Sequence, residues 1–174
     1  MTDPIDEPTV LRLALGDLPG ELDRTRRVLE RVPEAHFDWR PHEKSYSLHE
    51  LAAHVVNLLY WMDVTLGLSE FDMASLPADE DVPETLEALL AKFDEQATAV
   101  TRAVDALPAS ALLGDWTLRH GETVFFTQPR GMVFRSFCIS HLVHHRAQLG
   151  VYLRLLDVPV PQTYGPTADE PDMG

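Results

Sequence analysis

The stretch MVFRSFCISHLVHHRAQLGVYLRLL, residues 132–156, decides how this chain folds. Its apolar residues recur at intervals of three and four, which is the spacing of one face of an α-helix. His141 and His145 lie on that face, so their imidazoles are one helical turn apart and point the same way. The sequence therefore predicts a helix from about Gly131 to Leu156 that presents two potential metal ligands to the protein core.

A first helix is predicted over residues 9–32, where leucine and valine form a stripe at helical spacing. Gly16, Pro19 and Gly20 interrupt this stripe, and glycine and proline both weaken a helix interior. We therefore expect a kink or a short leading segment before the main helix, which Pro33 ends.

Two further helices have clear boundary residues. Ser47 and Glu50 form a capping box, in which the serine caps free backbone amides and the glutamate reaches back. The apolar stripe behind them ends near Gly67, a residue typical of helix C-termini. The next stripe begins after Pro83 and ends before Pro108, so we predict that Pro83 starts the third helix.

The connections between these helices differ in character. Residues 33–46 and 68–82 lack a helical period, and the second of these segments is acidic. Residues 116–127 contain β-branched and aromatic residues around a glycine, which is consistent with a short hairpin. Residues 157–174 are rich in proline and are predicted to form a non-helical tail. The pattern predicts one domain, residues 1–174, with an all-α four-helix bundle fold.

Composition excludes some classes of function. The chain has 174 residues and a net charge of −14, with no basic run, which argues against binding to nucleic acid or to an anionic membrane. The single cysteine, Cys138, excludes an intrachain disulfide. The acidic N-terminus lacks the pattern of a signal peptide, and no apolar run is long enough to span a bilayer. We expect a cytoplasmic protein.

A third histidine joins the pair on the last helix. His54 interrupts the apolar stripe of the second helix between Leu51 and Leu58, so it should point inward. A single inward histidine is usually a core residue that is satisfied by hydrogen bonds. Three of them would place six ring nitrogens in the core, and a metal ion can take one from each ring. In helix bundles, metal sites are built from side chains on facing helices.

Several neighbours of these histidines allow alternatives. Cys138 shares the face of the histidine pair and as a fourth ligand would close the site, although a buried cysteine is usually a small apolar residue. His144 lies about 100° around the helix and should face away. Glu50 can act as a base but is already explained as a cap, and Gln148 can orient a ligand or a bound water. Arg146 is expected to form an ion pair.

The segments PEAHFDWRPHEKSYSLHELAAHVVNL, residues 33–58, and MVFRSFCISHLVHHRAQLGVYLRLLDVPVPQTYGPTADE, residues 132–170, resemble the DinB/YfiT-like superfamily of metalloenzymes. Shared features are a Trp-Arg-Pro connection, a serine-initiated helix with one histidine, and an H-x-x-x-H-R-x-Q-L helix. The resemblance implies an up-down-down-up bundle, often dimeric, with a divalent metal ion on His54, His141 and His145.

Three neutral ligands would leave a coordination position open, which favours catalysis or ligand capture over a purely structural site. Zinc, nickel, iron and manganese all accept imidazole ligands. Relatives of this superfamily suggest two chemistries, transfer of a low-molecular-weight thiol and metal-activated hydrolysis. We expect thiol transfer, because no convincing general base accompanies the histidines. The alternatives are a hydrolase and a non-catalytic bundle that binds a small molecule or uses the metal for stability.

Overall fold

A computed structural model describes residues 9, 11, 14–76 and 82–172 of the chain. Its last helix continues directly from a helical turn at Arg130–Met132 and a π-helical segment at Val133–Ile139. The four main helices are α1 (Leu18–Leu29), α2 (Leu48–Gly67), α3 (Leu86–Asp105) and α4 (Ser140–Leu155).

Contacts at both ends show that α2 and α4 are antiparallel. The Tyr152 hydroxyl, late in α4, donates to the backbone carbonyl of Tyr46, just before α2, over 3.2 Å. Cys138, just before α4, places its Sγ atom 3.4 Å from Oγ1 of Thr65, near the end of α2. The midpoints of the two helices therefore face each other.

Helix α1 runs parallel to α4. Arg135 pairs with Asp17 before the two helices begin, and Arg146 pairs with Glu21 within them. Helix α3 runs antiparallel to α1, because Arg26 near the end of α1 binds Asp94 in the first half of α3, while the start of α1 shares a groove with the end of α3. These directions are those of the predicted up-down-down-up bundle.

The predicted interruption of the first helix and the predicted boundaries of the second are confirmed, whereas α1 ends at Leu29, before the predicted end at Pro33. A turn at Gly16 separates a short leading helical segment from α1, in which Pro19 occupies the first turn. Residues 10, 12 and 13 of the leading segment lie outside the described residues. The Ser47 hydroxyl accepts a hydrogen bond from the Glu50 amide, and the Glu50 carboxylate accepts one from the Ser47 amide, over 3.1 and 2.6 Å.

The predicted start of the third helix was wrong by three residues. Helix α3 begins at Leu86, where the Thr85 hydroxyl caps the amide of Ala88 at 3.2 Å. Pro83 instead presents its carbonyl to Nε2 of His49 on α2, over 2.7 Å. The helix therefore begins at its threonine cap and not at the proline, whose carbonyl contacts α2 instead.

The all-α prediction describes the bundle but omits a three-stranded sheet. The strands are β1 (Glu70–Asp72), β2 (Asp115–His120) and β3 (Thr123–Pro129), in the order β1-β2-β3. Strands β2 and β3 are antiparallel and form the predicted hairpin, whose turn contains Gly121 at φ +56°. Strand β1 pairs with β2 in parallel, within the segment predicted to be irregular. Residues 77–81 of that segment lie outside the described residues.

Two apolar clusters stabilise these elements. The larger one lies between the four helices and is built mainly from leucine and valine side chains. The smaller one anchors the sheet to the end of α2 and consists of Val64, Phe71, Trp116, Leu118 and Val133. Within the described residues, no helix is both long enough and apolar enough to cross a membrane.

Candidate metal centre

The three predicted histidines come together where α2 and α4 face each other. His54 extends from α2, and His141 and His145 extend from successive turns of α4. One ring nitrogen of each lies within 4.8 Å of the corresponding nitrogens of the other two. All three side chains are half-buried. The convergence has two causes. Helical periodicity directs each histidine inward, and the antiparallel alignment of α2 and α4 brings their midpoints to the same height.

The spacing of the rings suits a metal ion. Nε2 of His141 lies 2.9 Å from Nε2 of His145, and the His54 ring centroid lies 4.4 Å from that of His145 and 5.3 Å from that of His141. Nitrogen ligands about 2.0–2.1 Å from a tetrahedral zinc ion would be about 3.4 Å apart. Displacements of a few tenths of an ångström at the α4 pair would therefore accommodate an ion.

The second ring nitrogens of the α4 pair have partners of their own. Nδ1 of His145 lies 2.7 Å from Oε1 of Gln148, and His141 bonds to the backbone of Phe137, one turn earlier. When Nδ1 of His145 donates its hydrogen to the Gln148 oxygen, Nε2 of His145 carries a bare lone pair that faces Nε2 of His141. A metal ion can take this lone pair together with the Nε2 lone pair of His141, 2.9 Å away, so this donor set fits a metal ion.

All three imidazoles are held in the neutral form that metals require. Burial, together with the neighbouring His145 and His141, lowers the pKa of His54 to about 4. Burial also lowers the pKa of His141, with contributions from His145 and His144, against an opposing hydrogen bond to Phe137. Burial lowers the pKa of His145 as well, although its hydrogen bond to Gln148 opposes the shift.

These shifts make the stability of the metal-free protein depend on pH. The pKa of His54 is about 4 in the folded protein and 6.5 in its unperturbed form, so between these values the unfolded chain binds a proton that the folded chain does not. Lowering the pH through this window should therefore decrease the free energy of unfolding. Denaturant unfolding between pH 7 and pH 4 should show a shallower decrease for His54→Gln than for the unsubstituted protein. Equal slopes for the two proteins would contradict this assignment.

A cleft of about 220 Å³ opens beside His54, between α2 and the beginning of α3. Tyr46 forms part of its wall, with its ring centroid 5.7 Å from that of His54 and 6.5 Å from that of His145. Further polar groups in the wall are His49, Glu50, Asn57 and Lys92. A small molecule in the cleft would therefore reach the histidine cluster from the side of α2.

The other candidates from the sequence do not join this cluster. Cys138 is fully buried and lies against Thr65 and Trp61, and burial raises the pKa of its thiol to about 12. His144 is exposed and only touches the ring of His145, at a centroid distance of 4.7 Å. Glu50 caps α2 from the edge of the cleft. The four-ligand closed site is therefore not formed.

Tyr46 and Lys92 were not found by sequence reasoning. Tyr46 lies in a connection that has no helical spacing of apolar residues. The capping box that follows it predicts where α2 begins, but not that the Tyr46 ring lies near α4. Lys92 lies on α3, which contributes no histidine, and it reaches the cleft only because α2 and α3 are neighbours. Neither residue has a local sequence signal, since their position depends on how the helices pack.

Comparisons with known proteins agree on one family. The model of the DinB family matches residues 17–173. A DinB-like protein from Bacillus cereus ATCC 10987 has a TM-score of 0.68 and 20% identity, covering 87% of this chain and 95% of its own. One from Bacillus subtilis has a TM-score of 0.64 and 16% identity, with 92% and 99% covered. A DinB family member from Exiguobacterium sibiricum 255-15 has a TM-score of 0.65 and 21% identity, with 93% and 97% covered. No curated protein matches the chain.

Proposed function

Because the chain belongs to the DinB family, we propose that it binds one divalent metal ion through His54, His141 and His145 and uses it to transfer a low-molecular-weight thiol to an electrophile. The observation that carries this proposal is the convergence of three neutral imidazoles beside an open cleft. Zinc, nickel, iron and manganese all suit such ligands.

A metal ion held by three neutral ligands would keep its full charge and an open coordination position, so it would favour the anionic form of a thiol or of water at neutral pH. The protein supplies the remaining functions. The α2 side of the cluster is open to the cleft, because His54 is part of the cleft wall. The substrate is therefore expected to approach past Tyr46 and His54.

The state of Glu50 favours thiol transfer. Among the described residues that line the cleft, it contributes the one carboxylate. Its Oε2 atom accepts a 2.6 Å hydrogen bond from the Ser47 amide and lies 3.6 Å from Nη2 of Arg40. Both contacts hold Oε2 at the start of α2, so this oxygen is occupied by the helix cap and is not directed at the histidines. A thiol that is acidified by a metal ion needs no strong base nearby, whereas the attack of water usually does.

Metal-dependent hydrolysis is the second candidate, and the position of Glu50 at the cleft is the observation in its favour. Movement of this carboxylate away from Ser47 would make a general base available beside His54. The two candidates differ in whether Glu50→Gln removes activity, since thiol transfer does not depend on this group.

Titration with zinc or nickel, followed by activity assays, tests the proposal. We expect the purified protein to bind about one equivalent of metal ion, as a single three-histidine site predicts. The loaded protein should consume a low-molecular-weight thiol in the presence of an electrophile faster than the metal-free protein does. Turnover of esters or amides alone would favour hydrolysis. A loaded protein that is inactive on both panels would support a non-catalytic bundle, and failure to bind metal would overturn the proposal.

A further inference from the structure

We propose that Gln148 is a positioning residue that holds His145 in the tautomer able to bind a metal ion. This inference rests on the metal-binding function proposed above. Oε1 of Gln148 lies 2.7 Å from Nδ1 of His145. An amide oxygen can only accept a hydrogen bond, so the hydrogen of the neutral ring must be on Nδ1. Nε2 is then free of hydrogen, and its lone pair faces His141.

This contact is local to one helix. Gln148 follows His145 by three residues in α4, so the two side chains share a face and can meet without help from another element. An isolated imidazole in water prefers to carry its hydrogen on Nε2, which would block the nitrogen that faces the cluster. The amide oxygen reverses that preference before any metal arrives, and it thereby lowers the free-energy cost of binding.

His141 and His145 differ in how their tautomers are set. The hydrogen-bond partner of His141 is the backbone of Phe137, which no substitution removes. The partner of His145 is a side chain, and that side chain is exposed. Gln148 can therefore be replaced without opening a cavity in the core. It is the position at which the tautomer of one proposed ligand can be changed while the fold is kept.

The first test needs no metal. We would record the ring nitrogen signals of His145 by ¹⁵N NMR in the metal-free protein at a pH well above the histidine pKa values. The unsubstituted protein should show hydrogen on Nδ1, Gln148→Leu should shift His145 toward hydrogen on Nε2, and Gln148→Glu should keep it on Nδ1. An unsubstituted protein with hydrogen on Nε2, or a leucine variant without a shift, would overturn the inference.

The second test measures zinc affinity by competition with a chelator. Gln148→Leu should weaken zinc binding by about 10- to 100-fold, the usual effect of removing a partner of a ligating histidine. Gln148→Glu, which keeps an acceptor at the same place, should bind zinc within about threefold of the unsubstituted protein or more tightly. The metal-free variants should unfold at the same temperature as the unsubstituted protein, since a merely structural role would change that temperature.

The outcomes separate the two proposals. If the unsubstituted protein binds neither zinc nor nickel but the ¹⁵N spectra change as expected, the proposed function fails and the tautomer assignment stands. If it binds zinc and Gln148→Leu binds it equally well, the proposed function stands and the role of Gln148 is overturned.

Discussion

Replacement of His54 or His141 by alanine should remove stoichiometric metal from the purified protein. Each histidine contributes one of three ring nitrogens within 4.8 Å, so each variant would leave two ligands. The expected loss of affinity exceeds the roughly 100-fold that follows from removing an outer hydrogen-bond partner, because a direct metal–nitrogen bond is lost. Metal content after dialysis, measured by elemental analysis, should fall from about one equivalent to a small fraction of it.

His144→Ala is the matched control for this experiment. His144 lies in the same helix, beside His145, and touches that ring, but it is exposed and outside the cluster. This variant should keep its full metal content. Undiminished metal in both His54→Ala and His141→Ala would show that the ligand assignment is wrong, as would the loss of metal from His144→Ala alone.

Replacement of Arg146 by leucine should strongly lower the free energy of unfolding. Arg146 and Glu21 are each 2% exposed. Nη2 of Arg146 lies 2.8 Å from Oε2 of Glu21, an ion-pair contact whose angle is not that of a hydrogen bond. Nη1 donates to the Glu21 carbonyl and to the Thr25 hydroxyl, over 3.1 and 3.2 Å. Breaking a buried pair by removing one partner typically costs about 3–5 kcal/mol. In the variant, Arg24 and Tyr164 would still contact the Glu21 carboxylate. We therefore expect a loss at the lower end of this range, about 3 kcal/mol in the free energy of unfolding.

Thermal and denaturant unfolding would measure this effect. A loss of about 3 kcal/mol should lower the midpoint temperature by roughly 10 °C in a protein of this size. The double variant Glu21→Leu with Arg146→Leu should recover most of the stability, because no buried charge is then left without its partner. A single variant within about 1 kcal/mol of the unsubstituted protein would contradict the prediction, since exposed ion pairs contribute no more than that.

The histidine cluster could be predicted from the sequence because each histidine lies on a helix whose inward face is visible as a periodic stripe. His141 and His145 needed only their spacing of four, and His54 needed only its place between Leu51 and Leu58. The capping box of Ser47 and Glu50 was similarly local, and the structure confirms it. Periodicity and capping both depend on residues a few positions apart, so a single sequence contains them.

The features that were missed depend on distant residues. Strand β1 has three residues, and what makes it a strand is pairing with β2, in which Arg119 binds the side chains of both Glu70 and Asp72. No three-residue pattern could indicate that pairing. The ion pair predicted for Arg146 is confirmed, yet its partner Glu21 is 125 residues away in the chain and could not be named.

The π-helical segment Val133–Ile139 also bears on how sequences of this family should be aligned. A π-turn closes its hydrogen bond over five residues instead of four, so it accommodates an inserted residue without breaking the helix. Each residue of an α-helix adds about 100° of rotation. A residue deleted from a regular α-helix would turn His141 and His145 by that angle, whereas a deletion in the π-helical segment would convert a π-turn to an α-turn and leave both histidines facing the core. A one-residue gap placed in this segment of an alignment is therefore compatible with an unchanged orientation of the histidine motif.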